Sequence, residues 1–208
     1  MDTGMLDVPG ARLHYEVRGT GPVLLVMLGG STDPAMATPL AELLSGRYTV
    51  LTYDRRGYSR SPLTAPSGEH PVALHADDAL RLLDAAGSEP AHVFATHAGA
   101  LIGLDLPAWI HGMLTRMAAN ADPSLRYELR AFSRYVPDAA ALRDAPAVMA
   151  YGAGDLGTVF HRATLAVAGL LGREAVELPG DHVGYLRDPA AFAEALHTAL
   201  TPSQSRRS

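Results

Sequence analysis

The stretch richest in chemistry is Ala91-His92-Val93-Phe94-Ala95-Thr96-His97-Ala98-Gly99-Ala100-Leu101. Val93, Phe94 and their neighbours read as a short buried strand, followed by a very tight turn and a helix that opens with small residues. The turn is strained, so only small residues fit beside it; Ala95, Ala98 and Gly99 meet that need. At its centre stands His97. An imidazole here lies at a helix N-terminus, where the dipole disfavours positive charge and is expected to lower its pKa. A neutral histidine in that place can serve as a general acid or base. It can also serve as a nucleophile through an acyl-imidazole. Two further stretches put polar residues just beyond apolar runs: Gly154-Asp155 and Gly180-Asp181-His182.

The elements that must position these residues follow from periodicity. Residues 1–8 are expected to be loose. Leu13, Tyr15 and Val17 alternate with Arg12, His14 and Glu16, the pattern of a half-buried strand near a sheet edge. Val23 to Leu28 is a continuous apolar run, as a parallel strand covered on both faces requires. Gly29-Gly30-Ser31 ends it, and residues 35–46 read as an amphipathic helix. Tyr48 to Tyr53 is the next buried strand, closed by Asp54-Arg55-Arg56-Gly57-Tyr58-Ser59. A helix is expected from Pro71 to Ala86, with Val72, Leu80, Leu82 and Leu83 facing inward. After the strand at Val93 and its helix come a helix over Pro123 to Tyr135, a strand over Ala147 to Tyr151 and a helix over Thr158 to Leu171. A strand over Ala175 to Leu178 and a helix over Pro189 to Leu200 complete the order. Buried strands alternating with helices call for a mostly parallel sheet with right-handed crossovers, an α/β fold.

Taken in order, Leu28-Gly29-Gly30, Asp54-Arg55-Arg56-Gly57-Tyr58-Ser59, the turn at His97, Gly154-Asp155 and Gly180-Asp181-His182 resemble the α/β-hydrolase fold family, with helices on both faces of the sheet. The resemblance covers about residues 10–200 of a single domain spanning 1–208, and leaves 201–208 as a polar tail. It implies that His182 is the catalytic histidine and Asp155 the acid that orients it. It also implies that the backbone N–H groups of Gly30 and Ala98 form an oxyanion hole, with Ser31 placed to touch substrate.

The sequence departs from that family in two places. His97 stands at the tight strand-to-helix turn, the elbow, where the family has a nucleophilic serine. Its ring nitrogens reach roughly 2–3 Å farther from the backbone than a serine oxygen, by standard bond lengths. The interval from elbow to acid is also short, 58 positions (155 − 97). No aliphatic or β-branched run between Gly103 and Asp144 supplies the family's sixth strand. The expectation is a sheet that lacks this strand and a lid reduced to residues 107–140. Pairing with a second copy of the chain is one way to cover a sheet edge left open there.

Three functions fit these residues. The first is a cofactor-independent enzyme of acid–base type, with His97 and His182 exchanging protons on a small, apolar organic substrate in a cyclisation, dehydration or isomerisation. The second is an esterase-like hydrolase with His97 as an unusual nucleophile. The third is an inactive homologue that binds a ligand or partner. Thr96 is a weak candidate for a displaced nucleophile.

Plainer roles go to the other polar residues. Asp54 is read as fixing the turn at Gly57, or as orienting His182 if Asp155 does not. Arg55, Arg56 and Arg60 are read as a solvated turn. His75, Asp77 and Asp78 are read as a solvated first helical turn rather than a metal site. His14, His92, His111, His161 and His197 are scattered. With no cysteine, there is no disulfide and no thiolate ligand. A net charge of −5 and the absence of a basic face argue against nucleic acid. No phosphate-cradling glycine motif occurs, so no nucleotide cofactor is expected. No apolar run is long enough to span a bilayer, and no leader is evident, which points to the cytoplasm.

Overall fold

The apolar run beginning at Val23 becomes an inner strand of a five-stranded sheet. The computed structural model describes residues 1–66, 68–87, 90–97, 119–136, 138–143 and 145–201. They fall into two compact units, Met1–Tyr135 and Val136–Ser208.

In the first unit, β1 (Asp2–Val8), β2 (Ala11–Arg18), β3 (Val23–Gly29), β4 (Thr49–Tyr53) and β5 (His92–His97) lie in the order β1-β2-β4-β3-β5. β3 runs parallel to both of its neighbours, β4 and β5, while β2 is antiparallel to β1 and β4. Successive residues Leu24, Leu25 and Val26 point to opposite faces and all are buried, so both faces of β3 are covered. One face packs Leu13, Leu25, Leu51 and Tyr53 against Ala79 and Leu82 of helix α2 (Val72–Ala85). Ahead of β4, a 3₁₀ turn (Pro34–Ala37) leads into α1 (Thr38–Leu44), which buries Leu40, Ala41 and Leu44.

Several expectations are corrected here. Residues 2–8 are not loose: they pair residue for residue with β2, from Asp2 opposite Val17 to Val8 opposite Ala11, through a turn at Gly10. Leu80 of α2 points outward; the helix buries His75, Asp78, Ala79 and Leu82, one stripe at i, i+3, i+4, i+7. The strand carrying the elbow is not deeply buried. Val93 is 47% exposed and Phe94 only half-buried. The reason is position: among the described residues β5 pairs only with β3, which makes it an edge of this sheet.

A continuous helical stretch runs from Ala121 to Ser133. Within it the N–H of Leu129 bonds to the carbonyl of Ser124, an i→i+5 turn over Ser124–Glu128 that aims Glu128 into the interior.

In the second unit, β6 (Ala150–Gly152) and β7 (Val176–Leu178) form a two-stranded parallel sheet. They are joined through α3 (Val159–Leu170), whose N-cap Thr158 accepts from the N–H of His161. The last helix, α4 (Pro189–Leu200), is capped by Asp188 and buries Phe192, Ala193 and Leu196. No strand lies between β5 and β6 among the described residues. None of the described helices is long and apolar enough to cross a membrane.

Candidate active site

The first unit brings the elbow strand and the glycine turn together. Gly29, the last residue of β3, lies directly opposite His97, the last residue of β5, at the C-terminal ends of neighbouring parallel strands. That is where open parallel sheets place their sites. The side chain of His97 lies outside the described residues, and so do Ala98 and the helix expected after it.

The turn after β3 is tightly specified. Gly30 has φ of 64°, a left-handed conformation that favours glycine. The hydroxyl of Thr32 donates to the carbonyl of Gly29 at 2.6 Å. The Arg55 guanidinium donates to the carbonyls of Leu28 and Gly30. In a planar trans peptide the next N–H points away from the carbonyl before it. Holding the oxygens of Gly29 and Gly30 therefore fixes the directions of the Gly30 and Ser31 N–H groups. Neither of those amides has an acceptor among the described residues. Two fixed, unspent donors can stabilise a developing oxyanion. Ser31 itself is half-buried.

Arg55 and Arg56, read from sequence as solvated, are both buried. Each is neutralised: Arg55 by Glu128, and Arg56 by both oxygens of Asp78, at 2.7 and 2.5 Å. Asp78 and His75 are accordingly interior, and only Asp77 stays on the surface with Arg81. His75 Nε2 lies 3.2 Å from Glu128 Oε1. Burial, and then the Arg55 charge, push His75 down to about 3, while burial with the nearby Arg56 takes His70 down to about 4. Burial pushes the Glu128 carboxyl up, partly offset by Arg55. Asp54 has the structural role expected of it, accepting from the backbone and side chain of Arg60. Glu128 has no local signature that sequence reasoning could have used. Its partners are more than 50 residues away in sequence, at separations of 73 for Arg55 and 70 for Tyr58.

The second unit brings Asp155 and His182 together. Asp155 follows the end of β6 and His182 follows the end of β7. The loops meet through main-chain contact: the N–H of Gly154 donates to the carbonyl of Gly180 at 2.8 Å. A Cβ on Gly152 would stand 2.5 Å from that same oxygen, so only glycine permits the approach. Gly180, at φ of 80°, turns the chain, and Asp181 then accepts from the N–H of Val183. Asp155 is buried, with Oδ1 3.6 Å from Nδ1 of His182. The ring of Phe160 stacks on the His182 imidazole at 4.3 Å. A buried carboxylate facing Nδ1 favours the tautomer that carries its proton there, in which Nε2 is the basic nitrogen of the ring. Among the described residues no cluster could hold a metal ion.

No family model matches the sequence. An uncharacterised hydrolase, YraK of Bacillus subtilis, is 31% identical over 261 positions, which take in 96% of either chain. The chain belongs to the α/β-hydrolase family. Its fold matches a hydrolase from Pseudomonas aeruginosa (TM-score 0.74, 19% identity, 97% of this chain and 99% of the other). It also matches the enol-lactonase of Burkholderia xenovorans (TM-score 0.70, 20% identity, 96% of this chain and 100% of the other). The alignment with YraK is longer than this 208-residue chain, so the relative carries at least 53 internal positions (261 − 208) absent here.

Proposed function

We propose that this α/β-hydrolase-family chain is a cofactor-independent enzyme that moves protons on a small, apolar organic substrate, in a cyclisation, dehydration or isomerisation. The observation that carries the reading is the Asp155–His182 pair, a buried carboxylate 3.6 Å from a partly exposed imidazole. In this reading Asp155 holds the tautomer of His182, whose Nε2 takes a proton from substrate. His97 returns a proton at a second atom, and the Gly30 amide, with that of Ala98, stabilises the intervening oxyanion. A seryl ester is not formed, because position 97 carries no hydroxyl. The internal positions missing relative to YraK are assigned to the interval between elbow and acid, which removes the sixth strand and most of the cap.

The test is a set of three variants assayed with the purified chain. A fluorophosphonate probe is expected to leave the wild type unlabelled and to label His97→Ser, which should also gain p-nitrophenyl acetate hydrolysis. His97→Ala and His182→Ala should each abolish turnover of the native substrate once it is found in a metabolite-depletion screen. Probe labelling of the wild type, or full turnover without either histidine, defeats the proposal. A second reading is favoured by the name of the 31% identical relative: a hydrolase in which His97 forms an acyl-imidazole. Trapping of an acyl group on residue 97 by mass spectrometry would select it.

A further inference from the structure

We infer that Arg55, held in place by Glu128, is a positioning residue for the amide donors of the Gly29–Gly30 turn, where the Ser31 amide joins that of Gly30; this deepens the oxyanion role proposed above and rests on it. The guanidinium is committed on both sides. Toward the turn it donates Nη1 to the carbonyl of Leu28 at 2.5 Å and Nη2 to that of Gly30. Toward the 124–128 turn it donates Nε and Nη2 to the two oxygens of Glu128, at 3.1 Å each. Tyr58 closes the assembly: its hydroxyl donates to Glu128 Oε2 at 2.6 Å, and its ring lies 4.3 Å from the guanidinium carbon. All three side chains are buried.

A salt bridge that only glued elements together would have no reason to end on main-chain oxygens. Here the carbonyl Arg55 holds at Gly30 belongs to the peptide whose N–H is Ser31's, and that amide is free among the described residues. The Gly30 amide is fixed in the same manner by Thr32 through the Gly29 carbonyl. Glycine at positions 29 and 30 gives the turn little stiffness of its own, so its order has to come from these bonds. Lysine cannot replace the arginine, since one ammonium cannot span two carbonyls and a bidentate carboxylate. The i→i+5 turn that delivers Glu128 is thus tied to the site, although Glu128 itself touches no substrate.

The experiment has two readouts. In the His97→Ser background, with p-nitrophenyl acetate, Glu128→Gln and Arg55→Lys should lower kcat by about tenfold or more with KM within about twofold, as loss of a transition-state donor does. Tyr58→Phe, which removes the hydroxyl's bonds to Glu128 and Ser124 but keeps the ring beside the guanidinium, should give a smaller loss of the same kind. Independently, in the wild-type background, ¹⁵N relaxation should show the Gly30 and Ser31 amides falling from a rigid order parameter of about 0.85 to below about 0.6 in Glu128→Gln, while Leu24–Val26 stay rigid. Unchanged order parameters in a folded Glu128→Gln protein overturn the inference, and so does a rise in KM without a fall in kcat. If His97→Ser proves inactive, the oxyanion reading fails by itself, and the order parameters still decide whether Arg55 sets the turn.

Discussion

The glycine turn of the first unit and the Asp155–His182 pair of the second are both built at the ends of parallel strands, but they are held by different means. The turn is gripped by side chains, Arg55, Thr32 and, behind them, Glu128 and Tyr58. The pair is held by backbone against backbone: Gly152 permits the close approach of the two loops, and the Gly154 N–H bonds to the Gly180 carbonyl. Side-chain anchoring places heavy stability demands on a few buried charges. Backbone anchoring leaves the Asp155 and His182 side chains nearly free of structural duty, so under the proposed function their loss should cost activity and little else.

The largest effect that bears on this contrast is expected at Glu128. Glu128→Ala leaves Arg55 charged and unpaired in the interior and should destabilise the chain by about 3–5 kcal/mol, read by urea unfolding. A loss below about 1 kcal/mol would mean that the turn is anchored elsewhere. Next comes acid sensitivity. His75 and His70 are held neutral in the fold, with values of about 3 and 4, against about 6.5 when unfolded. Between those limits the unfolded chain binds more protons, so stability is full above about pH 6.5 and declines as pH falls towards 3, by up to about 1.4 kcal/mol per pH unit for each ring. The raised Glu128 carboxyl works in the opposite direction and moderates the slope. His75→Gln should flatten the acid limb of a melting-temperature profile.

Gly152→Ala probes the other anchoring mode. Its Cβ would meet the Gly180 carbonyl at 2.5 Å, and the forced shift should cost about 1–3 kcal/mol while displacing His182. The same substitution at Gly169, where nothing lies within 4 Å, is the control. Smallest in stability is Asp155→Asn, expected within about 1 kcal/mol of wild type because its partner ring is partly solvated. Its turnover should nevertheless fall by about 10² or more, through loss of the correct tautomer. Together, Glu128→Ala and Asp155→Asn would separate a residue that sustains the fold from one that sustains the chemistry.

What the sequence made legible follows the range over which each signal acts. β3, β4, α3 and α4 could be read directly, since apolar runs and helical period are local. The turn at Gly29–Gly30 and the loops that carry Asp155 and His182 could be located because each lies at or just beyond the end of a strand and contains glycine. β1 was not, because Asp2-Thr3-Gly4 carries no alternation and owes its order to the neighbouring strand. Nor was the burial of Arg55, Arg56, His75 and Asp78, where charge suggests solvent and only distant partners say otherwise. Val93 fails in the opposite sense. Its apolar character reads as interior, but burial needs a neighbour on the far side of β5, and sequence around Val93 says nothing about whether one is there.

Arg55 takes hold of oxygens that every amino acid possesses, not of any particular side chain along the turn. Position 31 is therefore released from architectural obligation. Under the proposed oxyanion role, a library of residues there could be explored to reshape what the protein accepts, with the cradle of amides kept in register throughout. Selection, natural or in the laboratory, would find in this position a dial for preference that leaves catalytic geometry alone.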